Sequence, residues 1–70
     1  MQTIADRISR SMIKQGLKQV DIVKSTGINK AAISSYLSGR YEPKSENLIK
    51  LATTLKVDVQ WLMGLEGGSD

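Results

Sequence analysis

The chain of 70 residues has no cysteine, no histidine and no phenylalanine, and it has a single proline. Without cysteine there can be no disulfide, thiolate metal site or cysteine nucleophile. Without histidine, the commonest metal ligand and the usual general base are also missing. No apolar run approaches the roughly 20 residues that a membrane span requires. The first residues, MQTIADRISR, contain no apolar segment of a secretory signal, so we expect a cytosolic protein.

These absences argue against an enzyme. The chain offers neither a nucleophile paired with a base nor a paired-carboxylate motif. We therefore expect no catalytic residue, no cofactor, no metal and no small-molecule substrate. A length of 70 residues predicts one small domain, which buries roughly 60% of its unfolded surface.

Positive charge is concentrated in one part of the chain. From Arg7 to Lys44 there are eight basic and two acidic residues, whereas Ser45 onward has two basic and four acidic residues. The net charge is +3. This asymmetry favours a nucleic-acid partner. The alternative is charge that only solvates the surface.

The apolar residues recur with helical spacing, and no long stretch alternates with a period of two. We predict an all-α fold, a compact bundle of five short helices bounded by capping residues and glycines. The predicted N-caps are Thr3, Asn29, Ser45 and Asp58. Residues 1–64 form the predicted domain, and residues 65–70 read as a linker-like tail. That tail suggests the amino-terminal part of a longer protein, although a short natural terminus is the alternative.

Each predicted helix has an apolar side that we assign to the core. These residues are Ile4, Ile8 and Met12; Val20, Ile22 and Val23; Ile33, Tyr36 and Leu37; Leu48, Leu51, Ala52 and Leu55; and Val57 and Leu62.

The second and third predicted helices meet at the short turn Gly27-Ile28-Asn29, which is typical of a helix-turn-helix motif. If Ile33, Tyr36 and Leu37 face inward, the opposite face carries small residues and one lysine: Lys30, Ala31, Ser34 and Ser35. A recognition helix has to enter a major groove about 12 Å wide, and small side chains allow its backbone to approach the bases. We therefore predict double-stranded DNA as the partner.

The segment GLKQVDIVKSTGINKAAISSYLSGRYEPKSENLIKLATTLKVDVQWLMG resembles the helix-turn-helix domain of Cro and phage repressors. The strongest marks are GL-x-Q at 16–19, G-I-N at 27–29, I-S-x-Y at 33–36, SGR at 38–40 and EP-x-x-ENL-x-x-LA at 42–52. The stretch VDVQWL at 57–62 is similar to the closing helix of phage immunity repressors. The resemblance implies a lambda repressor-like five-helix fold, dimeric binding to a palindromic operator, and control of transcription in a bacterial host.

The chain departs from the family pattern in three respects, at four positions. Many relatives have an Arg–Glu ion pair where this chain has Met12 and Leu37, and we expect these two apolar side chains to touch. Lys18 stands where Ser or Thr usually caps the second helix, which weakens that cap by roughly 1 kcal/mol. Lys56 replaces a glycine, so we expect a left-handed backbone there.

The base contacts are predicted on the outward face of the third helix. Lys30 can donate to guanine, Ala31 can meet a thymine methyl, and Ser35 can bond to a base edge or a phosphate. Ser34 is a further candidate. The alternative for Lys30 is a solvated lysine at the start of a helix.

Phosphate contacts are predicted on both sides of that helix. Gln19 lies in the first turn of the second helix, where free N–H groups favour an anion, and the resemblance implies the same role. Lys18 can reach a phosphate, and Asn29 can do so besides capping. The remaining candidates form a basic loop: Ser38, Arg40, Tyr41 and Lys44. The alternative for Tyr41 is surface packing.

The resemblance places the dimer contact in the last helix and the loop before it, at Val59 and Trp61. The alternative for Trp61 is an ordinary core position. A module that binds a protein, such as an antitoxin or an adaptor, is the alternative to a DNA-binding regulator as a whole. The basic loop and the Ala/Ser face argue against a purely protein partner.

Overall fold

The structure is a computed structural model that describes residues 3–64, so the predicted tail at 65–70 lies outside the described residues. Five helices and no strands are present among these residues, as predicted. They are α1 (Ile4–Gln15), α2 (Gln19–Thr26), α3 (Lys30–Ser38), α4 (Ser45–Leu55) and α5 (Val59–Met63). None of the helices within residues 3–64 has the length and apolar character needed to cross a membrane.

Three of the four predicted N-caps are confirmed. The side chain of Thr3 accepts from the Asp6 amide, that of Asn29 from the Ala32 amide, and that of Asp58 from the Gln60 amide. These bonds satisfy N–H groups that have no partner inside their helices.

The prediction that Ser45 caps α4 is wrong. Lys44 is the N-cap residue, because its carbonyl accepts from the Leu48 amide at 2.8 Å and Ser45 is already helical. The lysine side chain has no acceptor atom, and no side chain from residues 3–64 caps this helix.

Lys18 does not cap α2 with its side chain, as expected for an ammonium group that cannot accept a hydrogen bond. The Asp21 carboxylate instead accepts from the Lys18 amide at 2.8 Å. This is one half of a capping box. Asp21 therefore partly offsets the missing cap.

The core takes a large, almost fully buried side chain from every helix. These residues are Ile8, Ile22, Ile33, Leu51, Leu55 and Leu62. Helix α1 packs on α3, α4 and α5, while α2 packs on α3 and α4. Met12 is buried in this core and Leu37 packs against it. A direct contact between those two side chains remains a prediction.

One predicted core residue belongs to the surface instead. Val20 is 50% exposed, while its neighbours Ile22 and Val23 are buried and half-buried. Helix α2 is only eight residues long and packs on α3 and α4, so its far side stays in solvent. Apolar residues close together in a sequence do not all share one helical face.

Lys56 adopts the predicted left-handed conformation, with φ 58° and ψ 44°. This conformation is costly for a residue with a Cβ atom. We expect Lys56→Gly to raise the free energy of unfolding by about 0.5–1 kcal/mol, the gain being reduced by the greater chain entropy of glycine. Urea denaturation followed by circular dichroism measures the change. Lys56→Ala is the control, since it removes the charge but keeps the strain, and a destabilised Lys56→Gly protein contradicts the prediction.

Candidate nucleic-acid interface

The turn between α2 and α3 is held by a residue that the sequence analysis did not single out. Gly27 adopts φ 77° and ends α2. The Thr26 hydroxyl donates to the Ile22 carbonyl at 2.7 Å and accepts from the Ile28 amide at 3.1 Å. Because Thr26 and Ile28 are both buried, the turn is attached to the core on both sides of Gly27. The only signal in the sequence is a threonine just before the glycine, which is too common to be diagnostic.

The outward face of α3 lies where it was predicted. Ile33 is 1% exposed and points into the core. Lys30, Ala31 and Ser34 are exposed, and Ser35 is half-buried. The structure thus presents a helix face with three small side chains and a single charge to solvent.

Gln19 lies close enough to α3 to act with it. The Ser34 hydroxyl lies 3.4 Å from Gln19 Oε1, to which it donates a long hydrogen bond. This arrangement leaves the Gln19 amide N–H groups free to donate to an anion. Asn29 is similar, because only its Oδ1 atom is used in the cap.

The loop after α3 folds back onto the end of that helix. The Ser35 carbonyl accepts from the Arg40 amide at 3.0 Å and from the Ser38 hydroxyl at 3.0 Å. The Arg40 guanidinium lies 5.8 Å from the centre of the Tyr41 ring, which is itself 61% exposed. Three of the four predicted loop contacts, Ser38, Arg40 and Tyr41, therefore lie beside the C-terminal end of α3.

Two shallow depressions border α3, one on each side. The loop groove lies between α3 and α4 and is lined by Ala31, Ala32, Ser35, Tyr36, Tyr41, Glu42, Lys44 and Asn47. The α2 groove is lined by Lys18, Gln19, Val20, Val23 and Lys30. Predicted phosphate contacts occur in both grooves, and predicted base contacts lie between them or on their edges.

Each groove also contains a residue that the sequence analysis did not assign to this surface. In the loop groove, Asn47 donates to the Tyr36 hydroxyl at 2.9 Å, so a polar pair borders Lys44. In the α2 groove, Val20 adds an exposed apolar side chain between cations. In the sequence, the one feature that could have indicated Asn47 is its amide group, one helical turn after Lys44. No feature of the sequence indicates that Val20 belongs to this surface, because its exposure depends on how α2 packs.

Val59 and Trp61, the predicted dimer residues, lie apart from this surface. Both are half-buried and pack against the core. Within residues 3–64, α5 contacts α1 and α4 but not α3. The protein can therefore use α3 and α5 at the same time. Within the same residues, no group of three or more acidic side chains is placed to hold a metal ion.

The sequence matches a protein-family model described as helix-turn-helix over residues 8–62. The structure is similar to a crystal structure of the P22 c2 repressor in complex with a synthetic operator, with a TM-score of 0.86 and 27% identity over 94% of this chain and 100% of that chain. It is also similar to the solution structure of the DNA-binding domain of the P22 c2 repressor, with a TM-score of 0.85 and 29% identity over 99% and 88% of the two chains.

A third structure, the restriction-modification controller protein C.AhdI from Aeromonas hydrophila, has a TM-score of 0.79 and 22% identity over 86% of this chain and 91% of that one. At this identity the likeness concerns the fold alone. No match to this chain was found among the curated proteins.

Proposed function

The chain belongs to the helix-turn-helix family as a DNA-binding transcription regulator of the Cro/C1 type, and from this premise we propose that it is a phage or prophage repressor or a Cro-like protein. It binds a palindromic operator as a homodimer through α3. It acts in the bacterial cytosol, has no enzymatic activity and requires no cofactor.

The observation that supports this proposal best is the exposed face of α3. Lys30, Ala31 and Ser34 face solvent on a helix whose opposite side, at Ile33, is buried in the core. The small side chains allow the helix backbone to lie close to the base edges in the major groove. A face intended for solvent alone needs no such succession of small residues.

The two grooves supply the phosphate contacts that position this helix. Lys18 and Gln19 engage one strand from the α2 groove, while Tyr41 and Lys44 engage the other side from the loop groove, with Arg40, Asn29 and Ser38 as further donors. Such contacts orient a protein on the duplex without reading its sequence. The base contacts of Lys30, Ala31, Ser34 and Ser35 then provide the specificity.

Selection from a pool of random DNA duplexes tests the proposal without knowledge of the operator. We expect enrichment of an inverted repeat whose half-sites are centred about 34 Å apart, one turn of the DNA helix. Footprinting on the region upstream of the protein's own gene then checks the selected sequence. Failure to enrich any duplex contradicts DNA binding, and a site without twofold symmetry contradicts the homodimer.

Lys30→Ala is expected to relax the preference at one base pair of each half-site. Loss of the ammonium donor removes about 1–3 kcal/mol of discrimination there. Titration of the selected operator and of its single-base variants by fluorescence anisotropy measures this loss. Lys50→Ala is the matched control, since Lys50 is an exposed lysine on α4. An unchanged base preference in Lys30→Ala contradicts the assignment.

A further inference from the structure

We propose that Arg7 is a positioning residue that holds α5 in the orientation required for dimerisation, an inference that rests on the proposed function. The Arg7 guanidinium carbon lies 4.9 Å from the centre of the Trp61 ring. Its Nη1 atom also donates to the Trp61 backbone carbonyl. One side chain of α1 therefore contacts both the ring and the main chain of a single residue of α5.

Helix α5 needs such a constraint because it is very short. It has five residues, and a helix of this length does not persist without tertiary contacts. Leu62 is its one fully buried side chain and anchors it to the core. An anchor of this kind is non-directional. Arg7 adds a directional contact, which fixes the orientation of Trp61 and, through it, that of Val59.

The chemistry of Arg7 indicates that this residue orients α5 rather than adding to the stability of the fold. Its Nε atom is buried and has no hydrogen-bond partner among residues 3–64, which costs free energy. An apolar side chain packed between α1 and α5 avoids that cost. It cannot, however, donate to the Trp61 carbonyl.

Arg7 is also not an available contact for DNA, although it belongs to the basic part of the sequence. Its guanidinium is engaged by Trp61 and it is half-buried. Arg10, on the same helix, is exposed and forms a surface ion pair of 3.6 Å with Asp6. The two arginines carry the same charge but differ in their contact with α5. Arg10 therefore provides a matched control.

The test compares Arg7→Met, Arg7→Lys and Arg10→Met with the unchanged protein. Methionine keeps the apolar stem but has neither charge nor donor, whereas lysine keeps the charge but lacks the planar group that stacks on an aromatic ring. Trp61 is the only tryptophan in the chain, so quenching of its fluorescence by acrylamide reports its environment in the absence of DNA. Affinities for the selected full operator and for an isolated half-site are measured in parallel.

For Arg7→Met we expect more efficient quenching of Trp61 and about a tenfold loss of affinity for the full operator, a size between that of an exposed and that of a desolvated cation–π contact. Half-site affinity is expected to change by less than about twofold, because a half-site needs one subunit and no dimer contact. Arg7→Lys should give a smaller loss, and Arg10→Met should show neither change in quenching nor a selective loss on the full operator.

The half-site measurement separates positioning from general stability. If Arg7→Met or Arg7→Lys weakens full-operator and half-site binding equally, the role of Arg7 is only structural and the inference is wrong. An equal effect of Arg10→Met overturns it too. Failure of the proposed function shows in the unchanged protein, as absence of DNA binding or of any preference for the full operator. In that case quenching still reports the Arg7–Trp61 contact, and unaltered quenching in Arg7→Met overturns the contact itself.

Discussion

Binding of the protein to its operator should weaken about 10³–10⁵-fold between 50 and 200 mM salt, if the dimer neutralises about 6–10 phosphates. Each neutralised phosphate releases counterions, so the logarithm of the affinity falls linearly with the logarithm of the salt concentration. Of the cations for these contacts, Lys18 lines the α2 groove, Lys44 lines the loop groove, and Arg40 is exposed in the loop after α3. Fluorescence anisotropy titrations of the selected operator across a salt series measure the slope.

Two controls make this measurement specific to the proposed surface. A half-site duplex, which engages one subunit, should show about half the slope of the full operator. Lys44→Ala should reduce the slope on the full operator, whereas Lys50→Ala should leave it unchanged. A flat salt dependence contradicts the phosphate footprint and favours the alternative of a protein-binding module.

Shortening a buried side chain of α3, the recognition helix, should lower the free energy of unfolding more than the other substitutions. Ile33→Ala removes a side chain that is 1% exposed, and such changes cost about 2–5 kcal/mol. A domain of 70 residues has a free energy of unfolding of about 4–10 kcal/mol, so the loss is a large share of the total. Chemical denaturation followed by circular dichroism measures it, and operator affinity should decline only as the folded fraction falls.

Ser34→Ala is the matched control for Ile33→Ala, because Ser34 is the next residue on the same helix and faces solvent. We expect its free energy of unfolding to stay within about 0.5 kcal/mol of the unchanged protein. Similar stabilities for the two variants would falsify the inward orientation of Ile33. The exposed face of α3 would then need to be reassigned.

The regular features of the fold followed from local patterns in the sequence. Apolar spacing predicted the five helices and most of the core, and Thr3, Asn29 and Asp58 were recognisable as caps. The left-handed Lys56 was also predicted, from its place where the related domains have glycine. The wrong prediction for Ser45 came from a choice between adjacent residues. A serine favours the capping position, but the backbone bond from Leu48 to the Lys44 carbonyl decides where α4 begins.

The candidate site was predicted in part. The outward face of α3 followed from helical geometry, because Ile33 faces inward and residues on the opposite side must face solvent. The role of Asn47 beside Tyr36 did not, since these residues belong to different helices. Exposure of Val20 likewise depends on which side of α2 the other helices cover.

The sequence by itself determined the helix-turn-helix class, the small-residue face of α3 and the basic character of its surroundings. Each of these depends on residues within one helix or turn, where spacing and capping preferences act locally. Only the tertiary structure decided that Arg7 belongs with Trp61, 54 positions away, and that Arg10 remains at the surface. The two arginines lie on the same helix with the same charge, and packing of α5 against α1 distinguishes them.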